Sequence, residues 1–273
     1  MAVITKITVQ QKNQERYNIY MDFGKGEEYA FSVDKDTLIK FKLKKGFEVD
    51  PFLLTEIQYQ DDIRKGYHLA INFLAKSMRS EGEVRNYLAE KEIDEPIIKE
   101  VILKLYEYKF LDDREYAKAY VRTQKNTTDK GTELIRKGLR EKWIGENLIE
   151  EALNEYSSEE QIDTAVKVSE KFLSKNRLES ERTLKLKLEQ LLLRKGFSID
   201  VIQAVLREVN FDKKEEEEMA AIRHHGEKLK RKYNKFTGYE FEQKMKQALY
   251  RKGFSIDLIE HYLSELELSD NKS

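Results

Sequence analysis

Apolar and polar residues alternate over the first 33 positions: Ile7 and Val9, then Tyr17, Ile19, Met21 and Phe23, then Tyr29, Phe31 and Val33. The polar linkers QQKNQE and GKGE separate the three runs. Period-two alternation broken by Gly and Asn predicts a half-buried antiparallel meander. Three short strands bury little by themselves. Past Asp34 the period changes, and DKDTLIKFKLKKGF predicts a capped helix ending at Gly46 that covers the open face of the sheet. GKGEE is too short and too acidic to cradle a phosphate, so it is expected to be a hairpin turn.

From about residue 62 onward the pattern is helical. The segment LLRKGFSIDVIQAVL at 192–206 recurs as LYRKGFSIDLIEHYL at 249–263. Two fainter relatives lie upstream, LAEKEIDEPIIKEVILKL (88–105) and LREKWIGENLIEEALNEY (139–156), and all four align without a gap at spacings of 51, 53 and 57 residues. Self-similarity at about fifty residues marks a fourfold repeat. A further helical stretch precedes each copy, at 67–77, 112–124, 159–174 and 215–235. The predicted unit is therefore three helices, too small to stand alone, so neighbouring units must stack.

The repeated segment has the chemistry of a joint between helices. Asp94, Gly145, Ser198 and Ser255 stand where a helix N-cap is needed. Ile93, Ile144, Phe197 and Phe254 precede the cap, and Ile98, Ile149, Ile202 and Ile259 follow it by four, the spacing of a hydrophobic staple. Lys91, Lys142, Lys195 and Lys252 close the preceding helix, opposing its dipole. Gly196 and Gly253 suit a left-handed C′ position. Glu92 and Trp143 occupy the same position in the first two copies, where a left-handed backbone costs a side chain about 1 kcal/mol.

Composition adds three exclusions. Charged residues make up 37% of the 273-residue chain for a net charge of −1, with 12 Gly and 2 Pro, which suits solvated helices. No cysteine is present, which excludes disulfides and thiolate metal sites. No apolar run approaches the roughly 18 residues that span a bilayer, and the start MAVITKITVQ lacks the apolar core of a signal peptide; a soluble cytoplasmic protein is expected.

Neutrality hides segregation. Residues 130–142 hold five bases and two acids, 182–195 five and one, and 240–252 four and two. Residues 145–156 and 255–267 each hold four acids and no Lys or Arg, while 80–91 breaks the trend with three acids and two bases. Either each helix carries solvated charge suited to its dipole and to i,i+4 pairs, or the second helices form a basic groove for nucleic acid or an acidic protein surface. Base-specific readout is not expected, since the third helices are acidic and present Val201, Ile202, Val205, Leu206 and Val209 to a core.

Catalytic chemistry is weakly represented. His224 and His225 are adjacent and lack the i,i+4 spacing of a metal pair, and His68 and His261 stand alone. Asp112 and Asp113 after Leu111 suit a helix cap with a staple better than paired catalytic carboxylates. Neither a nucleophile–base pair nor a phosphate loop is found, so no enzyme, metal or cofactor is expected.

LDDREYAKAYVRTQ, followed by KGTELIRKGLREKWI and ENLIEEAL, resembles the central signature of the bacterial RecX regulatory proteins. The resemblance covers about 62–266, and the period-two region is similar to the extension of the longer members. It implies a mainly α protein of tandem three-helix repeats forming an elongated curved rod, with a small N-terminal β-meander plus helix. The expected divisions are 1–61, 62–110, 111–157, 158–211 and 212–273. The family signature falls on Leu111, Asp112, Asp113, Tyr116, Ala117, Tyr120 and Val121, expected to supply core and caps. The resemblance further implies a monomer that binds the RecA recombinase filament on single-stranded DNA and modulates its ATPase, strand exchange and coprotease activity, with single- or double-stranded DNA as a further partner. The expected contact face is Arg122, Lys130, Arg136, Lys137 and Arg140, continued by Lys185, Lys187, Arg194, Lys195, Lys244, Lys246, Arg251 and Lys252. The alternatives are a DNA-binding repeat protein acting without RecA, and a scaffold whose charges only face solvent.

Overall fold

The computed structural model describes residues 2–211 and 215–270. They divide into two compact units, residues 2–119 with 139–149, and residues 120–138 with 150–211 and 215–270. Strands β1 (Ala2–Val9), β2 (Arg16–Asp22) and β3 (Glu27–Asp34) are followed by α1 (Lys35–Lys40), β4 (Glu48–Val49) and α2 (Pro51–Leu74). The remaining helices are α3 (Glu81–Glu90), α4 (Glu95–Glu107), α5 (Asp113–Thr127), α6 (Thr132–Arg140), α7 (Glu146–Leu153), α8 (Ser158–Lys175), α9 (Glu181–Arg194), α10 (Ile199–Glu208), α11 (Glu215–Lys232), α12 (Gly238–Arg251) and α13 (Ile256–Asp270). Among the described residues no helix is long and apolar enough to cross a membrane.

In the first unit the meander is extended by a fourth strand, giving the antiparallel order β3-β2-β1-β4. β4 is only two residues long and carries no alternation to read. A register shift between Ile4 and Lys6 changes the phase of β1, so Ile4 and Ile7 both pack on the sheet's covered face while Val9 is exposed. The helix expected to reach Gly46 ends at Lys40, and the chain turns back through left-handed Lys42 and Gly46. The cover is shared by α1 and the turn after it, through Leu38, Phe41 and Leu43, and by the start of α2, through Leu53, Leu54 and Ile57. Asp50 caps α2 by accepting from the Leu53 N–H, with Pro51 in the first turn. The same 24-residue helix, not one confined to 67–77, continues into the first repeat, where Ile63 and Ala70 pack with Val84, Leu88, Ile98 and Val101. Between these ends Asp61 is buried, accepting from the Asp34 N–H (2.6 Å) and the Arg16 guanidinium (2.8 Å), with Lys65 at 3.1 Å. The sheet is thus tied to α2 by a compensated buried charge.

In the second unit two three-helix clusters repeat one plan. Leu188, Leu192, Phe197, Ile202 and Val205 belong to one, and Met245, Leu249, Phe254, Ile259 and Tyr262 occupy the equivalent places in the other.

All four joints share one backbone. Glu92, Trp143, Gly196 and Gly253 are left-handed, with φ of 59°, 57°, 83° and 84°. The N–H of the next residue reaches back five positions, from Ile93 to the Leu88 carbonyl, Ile144 to Leu139, Phe197 to Leu192 and Phe254 to Leu249, at 3.2–3.4 Å, as in a Schellman motif. Ser198 and Ser255 cap the following helices by accepting from Val201 and Leu258 N–H groups. Asp94 departs from expectation: it lies at the N-cap in extended conformation without a side-chain cap hydrogen bond.

The joint also has a second task. A helix C-terminus leaves carbonyls unpaired and a helix N-terminus leaves donors unpaired, and in each case the joint of one repeat meets the start of the second helix of the repeat before it. In the first unit the Ser80 hydroxyl donates to the Lys142 carbonyl (2.7 Å). In the second unit Gly131 N–H donates to the Lys195 carbonyl (2.8 Å) and Glu133 N–H to the Gly196 carbonyl (2.9 Å). The Lys252 carbonyl takes the hydroxyls of Ser180 (2.5 Å) and Thr183 (2.8 Å). The approach is close enough to demand glycine: a Cβ on Gly131 would lie 2.3 Å from the Gly196 carbonyl oxygen, and one on Gly82 2.4 Å from the Trp143 Cβ.

Candidate partner-binding surface

Two of the signature residues, Asp113 and Tyr116, bond to the start of α3, where the Lys142 joint docks. Leu111 is buried in the first repeat's core, and Asp112 starts α5 by accepting from the Glu115 N–H (3.0 Å). Asp113 reaches away from its own helix and accepts from the Glu81 N–H (2.8 Å) at the first turn of α3. Burial and the nearby charges of Glu81 and Asp112 push its carboxyl up, against that hydrogen bond. Tyr116, Ala117 and Val121 are buried. The Tyr116 hydroxyl donates to Glu83 (3.0 Å), whose other oxygen takes the Lys142 ammonium (2.6 Å). Burial pushes the Glu83 carboxyl up, but Lys142, the Ser80 N–H and Tyr116 outweigh it and hold it below the ordinary glutamate range. Tyr120 lies over Gly138, where a Cβ would stand 2.3 Å from its hydroxyl.

Most of the expected basic face is engaged within the chain. Arg122 grips Glu155 through two nitrogens (3.0 and 3.2 Å). Lys130 donates to Gln124 (3.0 Å). Arg136 pairs with Glu150, Arg140 with Glu146 (2.9 Å) and Lys246 with Glu260 (3.4 Å) as well as Glu242 (2.8 Å). Arg136–Glu150, Arg140–Glu146 and Lys246–Glu260 each join a second helix to the third helix of the same repeat, so the two charge stripes answer each other at these three points. Lys185 and Lys187 meet Glu181 and Glu179, both at 2.6 Å. Lys244 reaches Glu240 (3.5 Å) and stands over the Phe236 ring. Lys195 holds both carboxylate oxygens of Asp129 at 2.6 Å. Lys252 is half-buried near Glu179 and His225: the Glu179 carboxyl is held below its ordinary range, against burial, chiefly by Lys187 with a smaller contribution from Lys252, and His225 is pushed down by burial first and by Lys252 second. Exposed ion pairs of this kind are weak and can be exchanged for a partner's groups. Lys137, Arg194 and Arg251 are exposed and have no ion pair among the described residues. Arg194 and Arg251 occupy the same position in consecutive repeats of the second unit.

One basic feature lies outside the second helices. Lys167, Lys171 and Lys175 on α8, with Lys125 and Lys195, line a cleft of about 580 Å³ in the second unit that includes a single carboxylate, Asp129. The signal was the i, i+4, i+8 spacing of lysines in KVSEKFLSK, diluted by the acids at the start of the same helix. Among the described residues no group of three or more His, Asp or Glu side chains is arranged to hold a metal ion.

Family models match the chain from end to end. The RecX N-terminal domain covers residues 2–50, the first three-helix domain 67–105, the second 112–153, and the third twice, over 159–206 and 215–263. The double match of the third domain falls on the two copies that share RKGFSID. A regulatory protein RecX of Bacillus cytotoxicus is 48% identical over 263 residues, 96% of this chain and 97% of its own. That of Bacillus subtilis is 47% identical over 267 residues, 98% of this chain and all of its own. The crystal structure of a regulatory protein RecX superimposes with a TM-score of 0.67 at 36% identity, covering 76% of this chain and 100% of that one, and RecX from Lactobacillus salivarius with 0.54 at 39% over 55% and 97%. Meander, joints and tandem three-helix domains together place the chain in the RecX family of regulatory proteins.

Proposed function

We propose that this protein binds RecA recombinase filaments on single-stranded DNA and restrains their ATPase, strand exchange and coprotease activity, acting as a cytoplasmic monomer in recombination, repair and the SOS response. It works by binding, without catalysis or cofactor. The single observation that carries this beyond the family name is the pair Arg194 and Arg251. Both are exposed, both lack an ion pair among the described residues, and they recur one repeat apart. A partner that meets both is itself repetitive, as a filament of identical protomers is, and linked weak contacts then add through effective concentration. ATP hydrolysis by RecA on single-stranded DNA, titrated with this protein across a salt series, tests the proposal. Repression is expected, with the R194E/R251E variant needing about tenfold more protein, while each single variant shifts the titration less. Absence of repression by the unaltered protein at every salt concentration rules out the function. Repression unchanged in the double variant rules out this arginine face.

A further inference from the structure

The α8 cleft carries more positive charge than the second unit's own ion pairing uses. Lys125 is held by Glu160 (2.8 Å) and by the Glu155 carbonyl (2.6 Å), and Lys195 by Asp129. Lys167 and Lys175 are exposed and have no ion pair among the described residues, and Lys171 bears on Asp129 from further off. Successive lysines four apart on one helix stand about 6 Å apart along its axis. Under them the floor is apolar: Val168, Phe172 and Leu191 line the same concavity. A long solvated helix gains nothing by keeping three cations on one side of an apolar depression, since like charges at i,i+4 repel.

We propose that this cleft docks an acidic peptide segment of a protein partner, its carboxylates on Lys167, Lys171 and Lys175 and one apolar side chain against Val168, Phe172 and Leu191. Three features favour a peptide over a phosphodiester strand. The cleft already holds a carboxylate: Asp129 sits with both oxygens 2.6 Å from Lys195 Nζ, and that hydrogen bond, with the added field of Lys171, keeps its carboxyl below the ordinary aspartate range. Among the described lining residues Phe172 is the one aromatic group and it is half-buried, so the cleft lacks the succession of aromatic faces on which the bases of a strand stack. The cleft is a compact pocket sized for a few side chains, with Thr128, Thr164 and Asn176 at its polar margins. The proposal extends beyond the RecA reading and does not depend on it, because a synthetic peptide reads it out.

The probe is a fluorescein-labelled nonapeptide of aspartate and glutamate around one central phenylalanine, titrated with the full chain and followed by anisotropy. Saturable one-to-one binding that weakens with salt is expected. K167E/K175E alters two exposed residues and is expected to keep its far-ultraviolet circular dichroism while losing at least tenfold in affinity. Replacing the central phenylalanine of the probe with serine is expected to cost at least threefold. D129N removes the internal carboxylate that competes for Lys195 and is expected to tighten binding severalfold, a gain that a purely structural aspartate would not give. The proposal is overturned if the peptide does not saturate, if K167E/K175E binds it as well as the unaltered chain, or if an oligothymidylate of equal charge binds more tightly and is lost in the same variant, which marks a nucleic-acid site.

Discussion

Replacing Gly131 with alanine tests the docking of one repeat's joint on the helix before it. The added Cβ would lie 2.3 Å from the Gly196 carbonyl oxygen and 2.4 Å from the Phe197 nitrogen, both backbone atoms that cannot turn aside. Gly131 has no positive φ, so alanine brings no local strain and the effect reports the contact. Relief requires the joint to withdraw, which lengthens or breaks the hydrogen bonds from Gly131 N–H to Lys195 and from Glu133 N–H to Gly196. Two such bonds contribute about 1 kcal/mol each, and forcing a methyl into a packed contact costs about 1–3 kcal/mol, so a loss of about 3–5 kcal/mol is expected at this contact. In a repeat protein that loss falls on a nearest-neighbour contact and leaves the units' own cores intact. Urea unfolding followed by circular dichroism should show an earlier transition, and amide exchange should accelerate at Glu133 and Phe197 while Leu188 and Leu192 keep their protection. An unchanged urea midpoint with unchanged exchange at Glu133 would refute the docking role of this joint.

Three further substitutions probe the same joints. Glu92 is exposed with φ of 59°, so Glu92→Gly removes left-handed strain and should stabilise the first unit by about 1 kcal/mol in thermal or urea unfolding; a destabilised variant means the side chain has work there that its exposure hides. Glu83→Gln should cost about 1–3 kcal/mol at neutral pH by weakening the bonds to Lys142 and Tyr116. Because the Glu83 carboxyl is depressed in the folded chain, its contribution is complete above the ordinary glutamate range and fades as pH falls through the lowered value; the gap between the two proteins should therefore close on acidification, and a gap constant down to pH 3 would contradict this assignment. Gly145 stands at the N-cap of α7 with open space where a Cβ would go, so Gly145→Ser should add a few tenths of a kcal/mol, measured as a raised unfolding midpoint.

The half of the joint that lies within one repeat was legible because its rules are local. Gly196 and Gly253 are left-handed, Phe197 and Phe254 are buried, and Ser198 and Ser255 cap, each as its residue type requires. Trp143 and Glu92 keep the same backbone without glycine, which shows that the surrounding hydrogen bonds impose the turn and the glycine only eases it. The half that docks on the preceding repeat was not legible. Ser80 meets Lys142 across 62 positions and Ser180 meets Lys252 across 72, and nothing in a window around either serine announces its partner. The long α2 was missed for a different reason: a helix that packs on a sheet at one end and on helices at the other changes its apolar face along its length, which blurs a single 3.6-residue period.

The charge pattern was visible in the sequence, but its counterparts were not. Counting bases on second helices and acids on third helices finds two stripes, and only geometry shows Arg136, Arg140 and Lys246 spending their charge on Glu150, Glu146 and Glu260. The arginines left over are those in the last turn of α9 and α12, each one residue before the lysine whose carbonyl takes donors from the preceding repeat. That adjacency has a mechanical consequence. Hydrogen bonds at 2.5–2.9 Å fix the joint against its neighbour, so the backbone positions of Arg194 and Arg251 are set by the same contacts that set the stacking of the repeats. On the proposed function, a substitution that loosens a joint should then weaken partner binding without touching a contact residue, and Gly131→Ala, which disturbs the turn carrying Arg194, should raise the protein concentration needed in the RecA ATPase assay that tests that proposal, even under conditions where both repeats remain folded.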